Sequence, residues 1–174
     1  AGKKRRAAGF DTERIHARYS GLFPRFTAVK TTSLHEEHLR RGARMTEFAG
    51  WRMPLLYSGI VDEHRAVRGA AGLFDISHMG QVRVSGAGST AWLDTVVTNR
   101  LGKTEPGVCQ YTLLLNEGGG VIDDLIVYRL DADASLLIVN AANTAADLAW
   151  LDARRPPGVE LVHLGESRAG FALQ

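Results

Sequence analysis

Between residues 31 and 174, apolar positions recur with two periods, and the switches between them lay out the chain. Gln81-Val82-Arg83-Val84-Ser85 alternates polar and apolar residues, the pattern of a strand with one buried face. Ile60, His64, Val67 and Ala71 recur at three- and four-residue intervals, which predicts a helix over Ser58–Ala71 closed by Gly72. Ser33-Leu34-His35-Glu36-Glu37, a capping serine followed by acids, predicts a short helix through Arg41 that Gly42 ends. A strand is expected at Arg44–Phe48 and a loop at Gly50–Tyr57, where Gly50 and Pro54 punctuate the chain. Leu73–Ser77 reads as a further strand, and Ser89–Val97 as a helix with Ala91, Leu93, Val96 and Val97 apolar.

Gln110–Asn116 and Val121–Leu130 are expected to pair as a hairpin across Glu117-Gly118-Gly119-Gly120, the glycines supplying positive φ angles. Leu136–Ala141 would add a third strand. Asn143 is placed to N-cap a helix through Ala153, which Pro156-Pro157-Gly158 stops before a strand at Val159–Leu164. Helices thus alternate with antiparallel-looking strands without a regular βαβ repeat. The expected class is α+β, with mostly antiparallel sheets and packed helices. The chain stops straight after an apolar stretch, so residues 31–174 read as the amino-terminal part of a longer protein, truncated at its C-terminal side.

Composition changes this picture little beyond residue 30. A length of 174 residues, 45% hydrophobic and 23% charged, suits one globular domain with a core. No apolar run approaches the ~20 residues that span a bilayer. The net charge of +2 hides an asymmetry: residues 1–30 hold eight Lys/Arg against Asp11 and Glu13, and the remainder is net acidic. Residues 1–30 are therefore expected to be a separate basic, disordered leader. A transit peptide or a nucleic-acid arm are the other readings of that leader. The basic balance belongs to it, so neither nucleic acid nor a membrane is expected as a partner of the folded part. Cys109 is the single cysteine, so no intrachain disulfide forms and a reducing compartment fits. The Ala/Arg-rich composition without a convincing presequence leans towards bacterial cytoplasm, with the mitochondrial matrix as the expectation for a eukaryote.

Several motifs invite chemistry. Gly86-Ala87-Gly88-Ser89-Thr90-Ala91 has dinucleotide-binding spacing, but no βαβ unit surrounds it and a plain strand-to-helix turn is the better reading. His35-Glu36-Glu37-His38 spaces its histidines by three rather than four, and reads as an exposed acidic first helical turn, not a metal site. No Gly-x-Ser-x-Gly elbow and no phosphate loop occurs. Asp123-Asp124 stands out, because alternation sends the two carboxylates to opposite faces of an apolar strand. A carboxylate there is costly unless hydrogen-bonded or functional, and partial burial would suit it to proton transfer or to a polar ligand. For Asp123 a turn-stabilising role is favoured; for Asp124 both roles stand. Asn140, at the end of an apolar run, can read a flat hydrogen-bonding ligand or cap a strand end. Met79 and Tyr111 can floor a pocket for a ring system or belong to the core.

Three segments together, Phe48–Tyr57 (FAGWRMPLLY), Leu73–Gly80 (LFDISHMG) and Tyr111–Val127 (YTLLLNEGGGVIDDLIV), resemble the T-protein family of the glycine cleavage system in order and spacing. The resemblance implies a three-domain, folate-binding T-protein-like fold and an aminomethyltransferase. Such an enzyme moves the one-carbon unit from the aminomethyl-lipoyl arm of the H-protein to tetrahydrofolate, with release of ammonia. It implies Asp124 as the key carboxylate and Met79, Tyr111, Ile126 and Asn140 as further lining of the folate pocket. Relatives of other classes, a folate-binding iron–sulfur assembly or tRNA-modification factor and the folate domain of a demethylating flavoenzyme, are the alternatives. Because the family's third domain lies beyond Gln174, the chain by itself is expected to be inactive.

Overall fold

The computed structural model describes residues 29–165 and 168–174. Apart from Val29 and Lys30, the expected leader lies outside the described residues. The elements, in chain order, are β1 (Lys30–Thr31), α1 (His35–Arg40), β2 (Arg44–Phe48), β3 (Trp51–Leu56), α2 (Ile60–Gly69), β4 (Leu73–Asp75), β5 (Gly80–Ser85) and α3 (Ser89–Val96). A 3-10 turn at Leu101–Lys103 precedes β6 (Cys109–Leu115), β7 (Val121–Asp131), β8 (Ala134–Val139), α4 (Thr144–Asp152), β9 (Glu160–His163) and β10 (Phe171–Leu173). The strands form a five-stranded antiparallel sheet in the order β6-β7-β8-β5-β9, a three-stranded sheet β1-β3-β2 and a two-stranded pair β10-β4. Among the described residues only β1 runs parallel to its neighbour, so the α+β class with mostly antiparallel sheets holds.

The large sheet carries the core on one face. Val82 and Val84 of β5, Leu114 of β6, Leu125 and Val127 of β7, and Leu137 and Val139 of β8 point to that face, where Trp92 and Leu93 of α3 and Leu151 of α4 cover them. Burying each such side chain contributes roughly 1.5–3 kcal/mol. Arg129 of β7 also turns to this side and is buried. Its guanidinium donates to the carbonyls of Leu101, Thr104, Asp131 and Ala132, tying the 3-10 turn to the end of the hairpin.

The hairpin β6–β7 and the strand β8 form where alternation predicts them, and Gly119 takes a positive φ of 80° in the connecting turn. Gly86 takes φ 119° and Gly88 φ 78° between β5 and α3, and an added Cβ on Gly86 would lie 2.1 Å from the Gly158 carbonyl oxygen. These glycines serve a strand-to-helix turn in an antiparallel sheet, as that motif was read.

Four expectations need correction. Gly50–Tyr57 is not a loop: β3 occupies Trp51–Leu56, with Pro54 inside it. Proline is tolerated because β1 pairs only with Trp51 and Arg52, so among the described residues no strand pairs with β3 on that side of Pro54. Ser33 does not cap α1; the N-cap position falls on Leu34 and takes no side-chain hydrogen bond. His38 is not on an exposed turn but buried, for reasons given below. The amphipathic pattern of α2 buries no residue among the described ones, and Ile60 and Val61 face solvent. Its start is held instead by Glu63, whose Oε1 accepts the backbone N–H groups of Tyr57, Ser58 and Gly59.

Candidate functional site

Among the described residues, no helix packs over the second face of the large sheet at Tyr111 and Asp124, which are exposed. Register aligns Tyr111 with Ile126, Ile126 with Ile138 and Ile138 with Gln81 across four strands, while Leu113 pairs with Asp124 on the same face. Tyr111 is 60% exposed, Asp124 is exposed, and Ile126 and Asn140 are half-buried. Asp124 is not sunk among its apolar neighbours, contrary to the expected partial burial, because nothing among the described residues lies above it.

Asp124 is nevertheless held. Its Oδ2 accepts the Tyr111 hydroxyl at 2.8 Å, and its Oδ1 accepts Asn140 Nδ2 at 3.2 Å. The bond to Asp124 pushes the Tyr111 phenol above its ordinary range, so the proton stays on tyrosine. Asn140 follows directly after β8, and its Nδ2 also reaches the Asp124 backbone carbonyl and Asp123 Oδ1. Met79 stands at the same end of the sheet: it precedes Gly80, whose register partner Val139 precedes Asn140. Met79 is half-buried, and the turn leading to it is braced by an edge contact between Phe48 and His78, 5.7 Å between ring centres. Burial outweighs the charge of Asp75 and holds the His78 imidazole below its usual value. The structure thus gathers Tyr111, Asp124 and Asn140 by hydrogen bonds, places Ile126 beside Tyr111, and sets Met79 at the adjoining strand end.

The strand's other aspartate faces inward, as alternation requires. Asp123 is buried and accepts Asn140 N (2.9 Å), Asn140 Nδ2 (2.9 Å) and Asn143 Nδ2 (2.6 Å). Burial alone would raise its pKa, but these donors and Asp147 outweigh it and hold the carboxyl below its usual range. Asn143 is the N-cap residue of α4, yet its amide bonds Asp123 rather than the helix end. Gly80 lets α4 come this close, since a Cβ there would lie 2.6 Å from Thr144 Oγ1.

A second polar cluster escaped sequence reasoning. His38 Nε2 meets Asp75 Oδ2 at 2.9 Å, and Nδ1 meets the Tyr57 hydroxyl at 2.7 Å. Thr32 Oγ1 and the Ser77 backbone N–H also donate to Asp75. Burial opposes ionisation of Asp75, but the hydrogen bonds from Ser77, His38 and Thr32 win and lower its pKa. The one available signal was that Leu34 and His38, four residues apart, share a helix face. A cavity of ≈ 620 Å³ opens nearby, lined by Thr32, Trp51, Ser77 and Arg168 among others, and includes none of the residues around Asp124.

Comparison with known proteins decides which family this arrangement represents. Residues 34–174 match the model of the GCVT N-terminal domain. The chain belongs to that family. An aminomethyltransferase of Desulforamulus reducens is 45% identical over 146 residues, covering 84% of this chain and 40% of the relative. One of Chlorobium phaeobacteroides is 55% identical over 123 residues, 71% of this chain and 34% of the relative. The crystal structure of the glycine cleavage system aminomethyltransferase T of Bartonella henselae superposes with a TM-score of 0.80 at 40% identity, over 84% of this chain and 41% of that one. The GCVT-domain chain therefore spans about two fifths of the length of such relatives, and it shares the fold of the glycine cleavage T-protein over that part.

Proposed function

We propose that the bare face of the large sheet is part of the tetrahydrofolate site of an aminomethyltransferase of the glycine cleavage system. The observation that carries the reading is the Tyr111–Asp124–Asn140 constellation: a fixed carboxylate and amide set on an exposed, otherwise apolar strand surface. Such a surface suits a flat, nitrogen-rich ring, with Tyr111, Ile126 and Met79 offering apolar contact and Asp124 and Asn140 offering hydrogen bonds. The relatives' names support the activity, and the residues present fit the folate as co-substrate.

In this reading tetrahydrofolate is the acceptor of the one-carbon unit. The partner is the H-protein, whose lipoyl arm carries the aminomethyl group, and ammonia leaves. The chain's own part is to bind and orient. Asp124, with one oxygen on Tyr111 and the other on Asn140, has a settled direction, so it can hold or move a proton near the acceptor nitrogens without first reorganising. The compartment that accompanies this reading is the bacterial cytoplasm. No helix of the described residues is long and apolar enough to cross a membrane.

The test is turnover of the full-length polypeptide with aminomethylated H-protein and tetrahydrofolate. Asp124→Asn should lower the rate by about 100-fold or more, the usual scale for losing a positioned acid–base group. Unchanged turnover overturns the assignment of Asp124.

A further inference from the structure

Behind the proposed ligand face sits a carboxyl group that the reading above does not use. Asp147, in the first turn of α4, is 0% exposed. Neither of its oxygens accepts a hydrogen bond from an N–H or O–H donor of the described residues. Its polar neighbour is Asp123, whose carboxylate adds to burial in holding the Asp147 carboxyl above its usual range. Two carboxyl groups in such contact share a proton unless a cation separates them. The polar groups bonded to Asp123 are Asn140 after β8 and Asn143 at the start of α4, and Asn140 links it across the strand to Asp124, which accepts the Tyr111 hydroxyl. No Lys, Arg or His of the described residues forms an ion pair with Asp123, Asp124 or Asp147. The shared proton belongs on Asp147, because Asp123 already accepts three N–H bonds, which favour its anion, and Asp147 accepts none.

This arrangement fixes the direction of an amide at the site. Asn140 Nδ2 is occupied by Asp123 Oδ1, the Asp124 carbonyl and Asp124 Oδ1, while Asn140 Oδ1 takes no hydrogen bond among the described residues. We propose that Asp147 is a positioning residue: its carboxyl O–H, donated to Asp123, holds that carboxylate against Asn140, so that Asn140 shows the ligand an acceptor oxygen and recognises a donor N–H. The inference rests on the folate reading and deepens it, since it assigns the polarity of the ligand atom that meets Asn140. Loss of the proton from Asp147 would leave two buried anions side by side, and the Asp123–Asn140 contact is where their repulsion would appear.

The experiment follows the side-chain amide of Asn140 by NMR in the full-length polypeptide, ¹⁵N-labelled at asparagine and free of ligand, between pH 5 and pH 10. Burial first, then the Asp123 carboxylate, pushes Asp147 up to about 8. The Asn140 signal of the wild type should therefore move with a midpoint near that pH. In Asp147→Asn the new amide N–H donates to Asp123 at every pH, so the midpoint should vanish while the signal keeps its low-pH position. The KM for tetrahydrofolate should rise about tenfold in Asp147→Leu and return towards wild type in Asp147→Asn, with kcat changing less. A wild-type Asn140 signal that does not titrate, or a midpoint that survives in Asp147→Asn, overturns the proposal. The ligand-free titration is independent of the folate reading: unchanged turnover in Asp124→Asn would sink that reading and leave the Asn140 titration as it stands.

Discussion

The two faces of the five-stranded sheet come from the same strands and differ in almost every other respect. On the covered face, Val82, Val84, Leu125, Val127, Leu137 and Val139 are buried beneath α3 and α4. On the bare face, Tyr111, Leu113, Asp124, Ile126 and Ile138 stand in register with no helix of the described residues above them. Alternation in β7 puts Asp123 on the first and Asp124 on the second, so neighbouring aspartates acquire opposite duties. Asp123 is saturated by N–H donors and holds the β7, β8 and α4 ends together. Asp124 is exposed and its carboxylate takes the Tyr111 hydroxyl and the Asn140 amide. The lesson is that parity alone puts one aspartate of a strand in the core and its neighbour on an exposed surface, where the proposed ligand site lies.

Substitutions should divide along the same line. Leu137→Ala, on the covered face, should lower unfolding free energy in urea by about 2–5 kcal/mol, because a fully buried side chain leaves a cavity. A loss under 1 kcal/mol would mean that this face is not the core. His38→Ala should cost about 2 kcal/mol in the same assay, since Asp75 loses one donor and keeps Thr32 and Ser77. The pH dependence of that cluster has a definite sign. Asp75 has a lowered folded-state pKa, so its contribution is present above the unfolded carboxyl value of about 4 and fades as pH falls through the folded value. Stability of Asp75→Asn, followed by urea midpoints, should therefore fall less steeply below about pH 4 than that of the wild type. Tyr111→Phe, on the bare face, should leave stability within about 0.5 kcal/mol and weaken tetrahydrofolate binding several-fold, as Asp124 loses its hydroxyl partner. A stability loss as large as that of Leu137→Ala would erase the distinction between the faces.

The covered face was legible because it obeys period. The alternation at 81–85 and 121–130 and the helical spacing at 89–97 each name residues that are in fact buried. The candidate site residues came by another route: parity separated Asp123 from Asp124, and resemblance to the T-protein family implied Met79, Tyr111, Ile126 and Asn140, of which Tyr111 and Asn140 are hydrogen-bonded to Asp124. What escaped was long-range and polar. His38, Tyr57 and Asp75 are far apart in sequence, and no periodicity announces that a histidine in a charged helix will meet an aspartate 37 positions on. Pro54 misled because tolerance of proline depends on where β1 stops pairing, which is a property of the partner strand. Asp147 escaped for a related reason, since its burial follows from how closely α4 approaches β5 over Gly80. The outward pattern of α2 shows the converse, a helical period with no buried side among the described residues.

The central claim is that the bare face, and not the covered one, receives the ligand. Amide hydrogen exchange of the full-length polypeptide, with and without saturating tetrahydrofolate, tests it most directly. The account predicts added protection confined to the bare-face site, in the β6 and β7 segments around Tyr111 and Asp124 and in the turn at Asn140, and its disappearance in Asp124→Asn. Protection that spares those segments, or that persists unchanged in Asp124→Asn, would contradict it.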